Sequence, residues 1–95
     1  MQSREFAVQA RIDTEELYKW VAAGWLSPRQ HGATPDYSEV DLARAHLIRD
    51  LQDLGLNDEG IPVVLDLVDQ LHGLRHMLRQ LLATVKAEHE EGGPT

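Results

Sequence analysis

The chain has 95 residues, of which 42% are hydrophobic and 26% are charged, a composition typical of one soluble globular domain rather than of a disordered polymer. It contains no cysteine, which excludes disulfides and thiolate metal sites. Sixteen acidic residues against nine basic ones give a net charge of −7, so the chain lacks the basic excess with which proteins bind nucleic-acid phosphates.

The sequence has no signal for secretion or membrane insertion. Its N-terminal residues lack the basic flank and apolar run of a signal peptide, and no apolar stretch approaches the roughly 18 residues that a membrane span requires. We therefore expect a cytoplasmic protein that does not enter a membrane.

The first part of the chain predicts two short helices. Residues 3–10 are compatible with a helix that has Ser3 at its cap. Asp13 is followed three residues later by glutamate, the spacing of a capping box, and this predicts a second helix over 14–23 that ends at Gly24. Four apolar side chains of this second helix fall within one stripe: Leu17, Tyr18, Trp20 and Val21.

Residues 25–37 predict a small wing. Trp25 and Tyr37 could anchor a short hairpin, because the residues between them include three helix breakers: Pro28, Gly32 and Pro35. Together with Trp20, these aromatic residues could form an exposed binding surface. Aromatic residues at the base of a wing more often form its small core, and we expect a core here.

Two further capping signals predict the remaining helices. Ser38, followed three residues later by Asp41, opens a third helix that should end at Gly55. Residues 57–59, Asn-Asp-Glu, then cap the start of a fourth helix and complement its dipole. Pro62 is tolerated in the first turn of that helix, where few amide donors are needed.

The sequence therefore divides into a head (1–56), a long helix (57–90) weakened only at Gly73, and a frayed tail (91–95). The long helix carries aliphatic residues at alternating spacings of three and four: Val64, Leu67, Leu71, Leu74, Leu78, Leu81 and Val85. Three heptads of this kind favour a coiled coil and hence a homodimer, although the helix could instead fold back on its own head. Three flanking residues widen the apolar seam and leave parallel and antiparallel pairing open: Val68, Met77 and Leu82.

No residue pattern indicates catalysis or a cofactor. Asp69, His72 and His76 have a spacing that can ligate zinc, but they lie opposite the heptad seam without a fourth ligand. A solvated helix face explains them better than a metal site. A glycine-rich phosphate loop, a nucleophile context and paired carboxylates in an apolar setting are all missing. We expect a non-enzymatic protein that needs neither metal nor cofactor.

The N-terminal part of the chain is acidic, with eleven acidic and six basic residues among the first sixty. Its expected partner is therefore a basic or an apolar protein surface. Four acidic residues of the third helix and the following turn are candidate docking charges, the alternative being a solvated acidic face: Asp50, Asp53, Asp58 and Glu59.

The order of these motifs follows a known pattern. It is carried by Trp20-x3-Gly24-Trp25-Leu26-x-Pro28-Arg29, Tyr37-x3-Asp41 and Leu54-Gly55-Leu56. This order resembles MerR-type regulators, and the resemblance implies a mainly α-helical fold, with a winged helix-turn-helix head before a long dimerisation helix. In those regulators the helix corresponding to 14–23 reads the major groove of DNA. Here it carries Glu15 and Glu16 with only Lys19, which disfavours DNA binding without excluding it.

A closer resemblance covers about residues 5–82. It rests on three runs, SEVDLARA (38–45), DLQDLGLNDEGIPV (50–63) and LDLVDQLHGLR (65–75). These runs resemble the CbpM chaperone-modulator family. The resemblance implies binding to the J-domain of CbpA, a DnaJ-type co-chaperone, and restraint of its stimulation of Hsp70. J-domains present a basic helix to an acidic Hsp70 surface, which an acidic competitor would fit. The alternatives are a MerR-type DNA-binding transcriptional regulator and a generic adaptor dimer.

Overall fold

The computed structural model describes residues 1–91, with side chains described for residues 1–88. These residues form α1 (Ser3–Ala10), α2 (Thr14–Ala22), β1 (Arg29–His31), β2 (Thr34–Asp36), α3 (Glu39–Asp53) and α4 (Gly60–Glu91). This order confirms the predicted mainly helical fold, with a small wing and a long C-terminal helix. The chain divides into two units, Met1–Pro62 and Val63–Thr95. The sequence predicts that the head ends at residue 56, before α4 begins.

Side-chain caps begin α2 and α3 where the sequence predicts them. Asp13 Oδ1 accepts a hydrogen bond from the Glu16 amide at 2.7 Å. Ser38 and Asp41 form a complete capping box, because the Asp41 amide donates to Ser38 Oγ at 3.2 Å and the Ser38 amide donates to Asp41 Oδ2 at 2.9 Å. Each cap satisfies amide groups that have no partner within the helix itself.

The ends of α1 depart from the prediction. The N-cap is Gln2, without a side-chain hydrogen bond, and the predicted cap Ser3 is the first helical residue, so that prediction is wrong. Arg11 forms the C-cap directly after α1, and it is the one non-glycine residue in the described part of the chain with a left-handed φ (59°). After α2 and α3 the left-handed residues are glycines, as predicted: Gly24 (φ 81°) and Gly55 (φ 95°).

The predicted wing is an antiparallel hairpin. Its register pairs Arg29 with Asp36, Gln30 with Pro35 and His31 with Thr34. The two-residue turn between the strands begins at Gly32, whose φ of 61° suits a tight hairpin.

The core of the head is aromatic, as the sequence predicts. Phe6 stacks on Tyr37 with ring centroids 4.3 Å apart. Trp20 and Trp25 are 1% and 8% exposed, and their ring centroids lie 6.3 Å apart. Large aliphatic residues from α2, α3, the loop after α2 and the start of α4 are also fully buried: Leu17, Leu26, Ile48 and Ile61.

The long helix begins at Gly60, three residues after its predicted start at residue 57 and directly after the predicted capping residues 57–59. The Gly60 amide donates to Asn57 Oδ1 at 2.8 Å, so Asn57 caps the first turn as predicted. The helix is continuous through Gly73. Of the predicted tail, Glu91 is the last residue of α4, and residues 92–95 lie outside the described residues. Within the described part of the chain, no helix is long and apolar enough to cross a membrane.

Candidate interaction site

The exposed face of α2 is mixed in character and begins with an acidic residue. Glu15 is exposed, whereas Glu16 is half-buried and its Oε1 accepts a hydrogen bond from Trp20 Nε1 at 3.0 Å. Tyr18 is 62% exposed, so its predicted place in the apolar stripe is wrong. The reason is geometric: at about 100° per residue, it lies roughly opposite Trp20 on the helix. Lys19 is the single basic side chain of α2.

Two of the six basic side chains of the head are held by backbone carbonyl groups. Arg44 Nε donates to the carbonyl oxygen of Trp25, and Arg49 Nη1 donates to that of Ala10 at 3.2 Å. Ala10 is the last residue of α1, where a cation satisfies an unpaired carbonyl and complements the helix dipole, whereas Trp25 lies in the loop after α2. These two arginines therefore stabilise the head. The remaining four basic side chains are exposed: Arg4, Arg11, Lys19 and Arg29.

The wing carries an acidic residue beside its exposed arginine. The amino group of Met1 donates to Asp36 Oδ1 at 2.9 Å and to the Tyr37 carbonyl at 2.8 Å. The hydrogen bond from this ammonium, its charge, and the charges of His31 and Arg29 lower the pKa of Asp36 below its ordinary value. At neutral pH a carboxylate thus stands directly across the hairpin from Arg29 and reduces the positive charge of the wing.

The four predicted docking carboxylates do not form one cluster. Asp50 and Asp53 line a cavity of about 360 Å³ with three basic side chains, Arg11, His46 and Arg49. Asp58 lines a different cavity, and Glu59 is exposed without lining either of them. Asp50 and Asp53 thus share their cavity with three basic side chains, whereas Asp58 has a different setting.

We call that setting the Trp25 cavity; it measures about 270 Å³ and is lined by Glu16, Lys19, Trp20, Ala23, Trp25 and Asp58. Sequence reasoning named Asp58 as a docking charge but missed its neighbours. Trp25 and Asp58 are separated by 33 residues, and no sequence pattern places them together. The signal that was available is the predicted aromatic base of the wing, since a tryptophan combines a large apolar ring with an N–H that usually finds a hydrogen-bond partner when buried.

The predicted dimerisation seam of α4 is exposed along most of its length. Six seam residues are 47–63% exposed: Leu67, Leu71, Leu74, Leu78, Leu81 and Val85. The first seam residue, Val64, is half-buried, as is the flanking Val68. The other flanking residues, Met77 and Leu82, are 65% and 59% exposed. The long helix thus presents a continuous apolar surface.

The opposite face of α4 carries polar side chains. Asp69, His72 and His76 are all exposed. Among the residues whose side chains are described, no group of three or more His, Asp or Glu is placed to hold a metal ion.

A family model of MerR HTH family regulatory proteins matches residues 1–82. The chain belongs to this family. The match includes α1, α2, the hairpin, α3 and two thirds of α4. The MerR pattern makes α2 the counterpart of the helix that reads the major groove, and β1–β2 the wing. No curated protein matches the chain significantly.

Proposed function

We propose that this MerR-family protein is a non-enzymatic, cytoplasmic modulator of a DnaJ-type co-chaperone, similar to CbpM, that binds the J-domain and limits stimulation of Hsp70. The observation that carries the proposal is the charge of the head. Glu15 is exposed on the helix that would read DNA, and Arg44 and Arg49 are held by backbone carbonyls. An acidic surface complements the basic helix of a J-domain and repels phosphates.

We also propose that the protein acts as a homodimer through α4. Support comes from the heptad spacing together with the exposure of the seam, for example 47% at Leu71 and 63% at Leu74. Large contiguous apolar surfaces are uncommon on monomeric proteins and are typical of subunit interfaces. A second α4 has the complementary spacing to cover this one.

Calorimetric titration with the J-domain of the same organism's CbpA-like co-chaperone tests the first proposal. We expect micromolar or tighter binding that weakens as salt rises, together with reduced stimulation of the Hsp70 ATPase. Glu15→Lys should weaken binding, whereas Asp69→Lys, the same charge change on the polar face of α4, should have little effect. Absence of binding at low salt would reject the proposal.

A DNA-binding regulator is the second candidate, and the family match favours it. Gel-shift assays with the DNA upstream of the gene measure it directly. The Glu15→Lys variant separates the two candidates by sign, because the added positive charge should strengthen DNA binding and weaken binding to a basic J-domain. Specific DNA retention by the wild-type protein at physiological salt would favour the regulator.

A further inference from the structure

We propose that the Trp25 cavity receives an arginine side chain of the protein partner. This inference rests on the proposed function, because it names the part of the head that meets the basic helix of the J-domain. It also selects Asp58 from the four predicted docking carboxylates.

The size of the cavity suits one side chain. Its volume of about 270 Å³ lies below the roughly 300–1,000 Å³ of pockets that enclose whole small-molecule ligands. All the lining residues belong to the unit Met1–Pro62, so the cavity is formed within this unit alone. A long, thin side chain reaching in from a partner helix fits such a space.

The lining matches a guanidinium group in two ways. Indole is the aromatic ring that attracts cations best, and Trp25, which is 8% exposed overall, is one of the lining residues. Two carboxylates, Glu16 and Asp58, stand in the same lining. Glu16 already accepts a hydrogen bond from Trp20 Nε1 through Oε1, which leaves its Oε2 for a further donor. A planar guanidinium both stacks on aromatic rings and binds carboxylates through two parallel hydrogen bonds, which an ammonium does not.

Other ligands fit the lining less well. A phosphate would face the two carboxylates, and an apolar side chain would desolvate charged groups without pairing them. The cavity lined by Asp50 and Asp53 is a weaker candidate for a cation, because Arg11, His46 and Arg49 line it too.

Lys19 provides the most discriminating feature. Its side chain lines the Trp25 cavity and is exposed, so its positive charge would repel an incoming cation. Removing this charge should therefore strengthen the binding of a cationic side chain. For an anionic ligand the same change would weaken binding.

The test compares neighbouring carboxylates in calorimetric titrations of the full chain with the J-domain at physiological salt. Asp58→Asn should weaken binding by about tenfold, whereas Glu59→Gln, which removes the same charge one residue away from the cavity, should change it less than about twofold. Lys19→Gln should tighten binding, and Arg29→Gln on the wing should not. Asp58 and Lys19 are both exposed, so the fold is expected to survive, as circular dichroism will show.

The outcomes separate the two proposals. If the wild-type protein binds the J-domain but Asp58→Asn behaves like Glu59→Gln, the cavity inference is overturned and the proposed function stands. If the wild-type protein does not bind the J-domain, an arginine-rich helical peptide and its arginine-to-glutamine counterpart become the probes. Arginine-dependent binding that Asp58→Asn weakens would then support the cavity, and absence of such binding would overturn it.

Discussion

Replacing two seam leucines with aspartate should dissociate the proposed homodimer. Leu71 and Leu78 are 47% and 53% exposed in the single chain. Complete burial of a leucine side chain is worth about 1.5–3 kcal/mol, so covering the exposed half contributes about 1 kcal/mol per residue. A dimer contains four such positions, or about 4 kcal/mol in total. Aspartate removes this contribution and adds buried charge, so the double variant should weaken dimerisation by at least about a thousandfold.

Sedimentation equilibrium over a wide concentration range measures the effect. The matched control is His76→Asp with Gln80→Asp, which introduces the same two carboxylates at exposed positions of α4 off the heptad seam. The control should keep the mass of the wild-type dimer. A wild-type protein that is monomeric at every concentration would refute the reasoning, as would a seam variant with unchanged mass.

Three further changes probe the head by thermal or urea unfolding. Phe6→Leu should lower the free energy of unfolding by about 2 kcal/mol, because it removes the aromatic stack and leaves a void. Val8→Ala, at a 73% exposed site of the same helix, should change the free energy of unfolding by less than about 0.5 kcal/mol. Equal losses for the two variants would contradict the described core. Asp36→Asn should reduce stability at neutral pH, where the carboxylate accepts from the Met1 ammonium. Because folding lowers the pKa of Asp36, this difference should fade as pH falls below about 4 through the folded pKa, and a difference that persists in acid would disprove the ion pair. Gly24→Ala should lower the free energy of unfolding by about 1 kcal/mol, because Gly24 has a left-handed φ of 81°. The added methyl group itself meets no atom within 4 Å. An unchanged melting temperature would show that the turn relaxes.

Local signals were enough to predict the helices and the wing. The caps at Asp13 and Ser38 and the glycines at 24 and 55 act within one turn of the chain, so their residues carry the information themselves. The prediction at Ser3 was wrong for the same reason: a residue type that often caps was present, but the chain enters the helix one residue earlier, at Gln2. Helix ends vary by one or two residues between such neighbouring positions, so the residue type alone does not fix the cap.

The candidate site was only partly predictable because its parts come together through tertiary packing. In the sequence, Arg44 and Arg49 resemble ordinary basic residues of a helix. Only their hydrogen bonds to the carbonyl oxygens of Trp25 and Ala10 show that they stabilise the fold. The juxtaposition of Trp25 with Asp58 depends likewise on how the chain returns after α3. The seam of α4 was visible in the sequence, because a heptad repeat is a local pattern.

The proposed pairing of α4 would also tie the folding of this helix to mass action. From Asp69 to Glu88 every side chain is exposed in the single chain, so this stretch receives no tertiary support. Most of the stability of a helix in a protein comes from tertiary packing of its apolar face, and Gly73 lowers the helix propensity of this stretch. Helix formation and pairing should therefore be one coupled transition, with helix content rising as protein concentration rises. In a cell, the abundance of the chain would then decide how much of its length is folded.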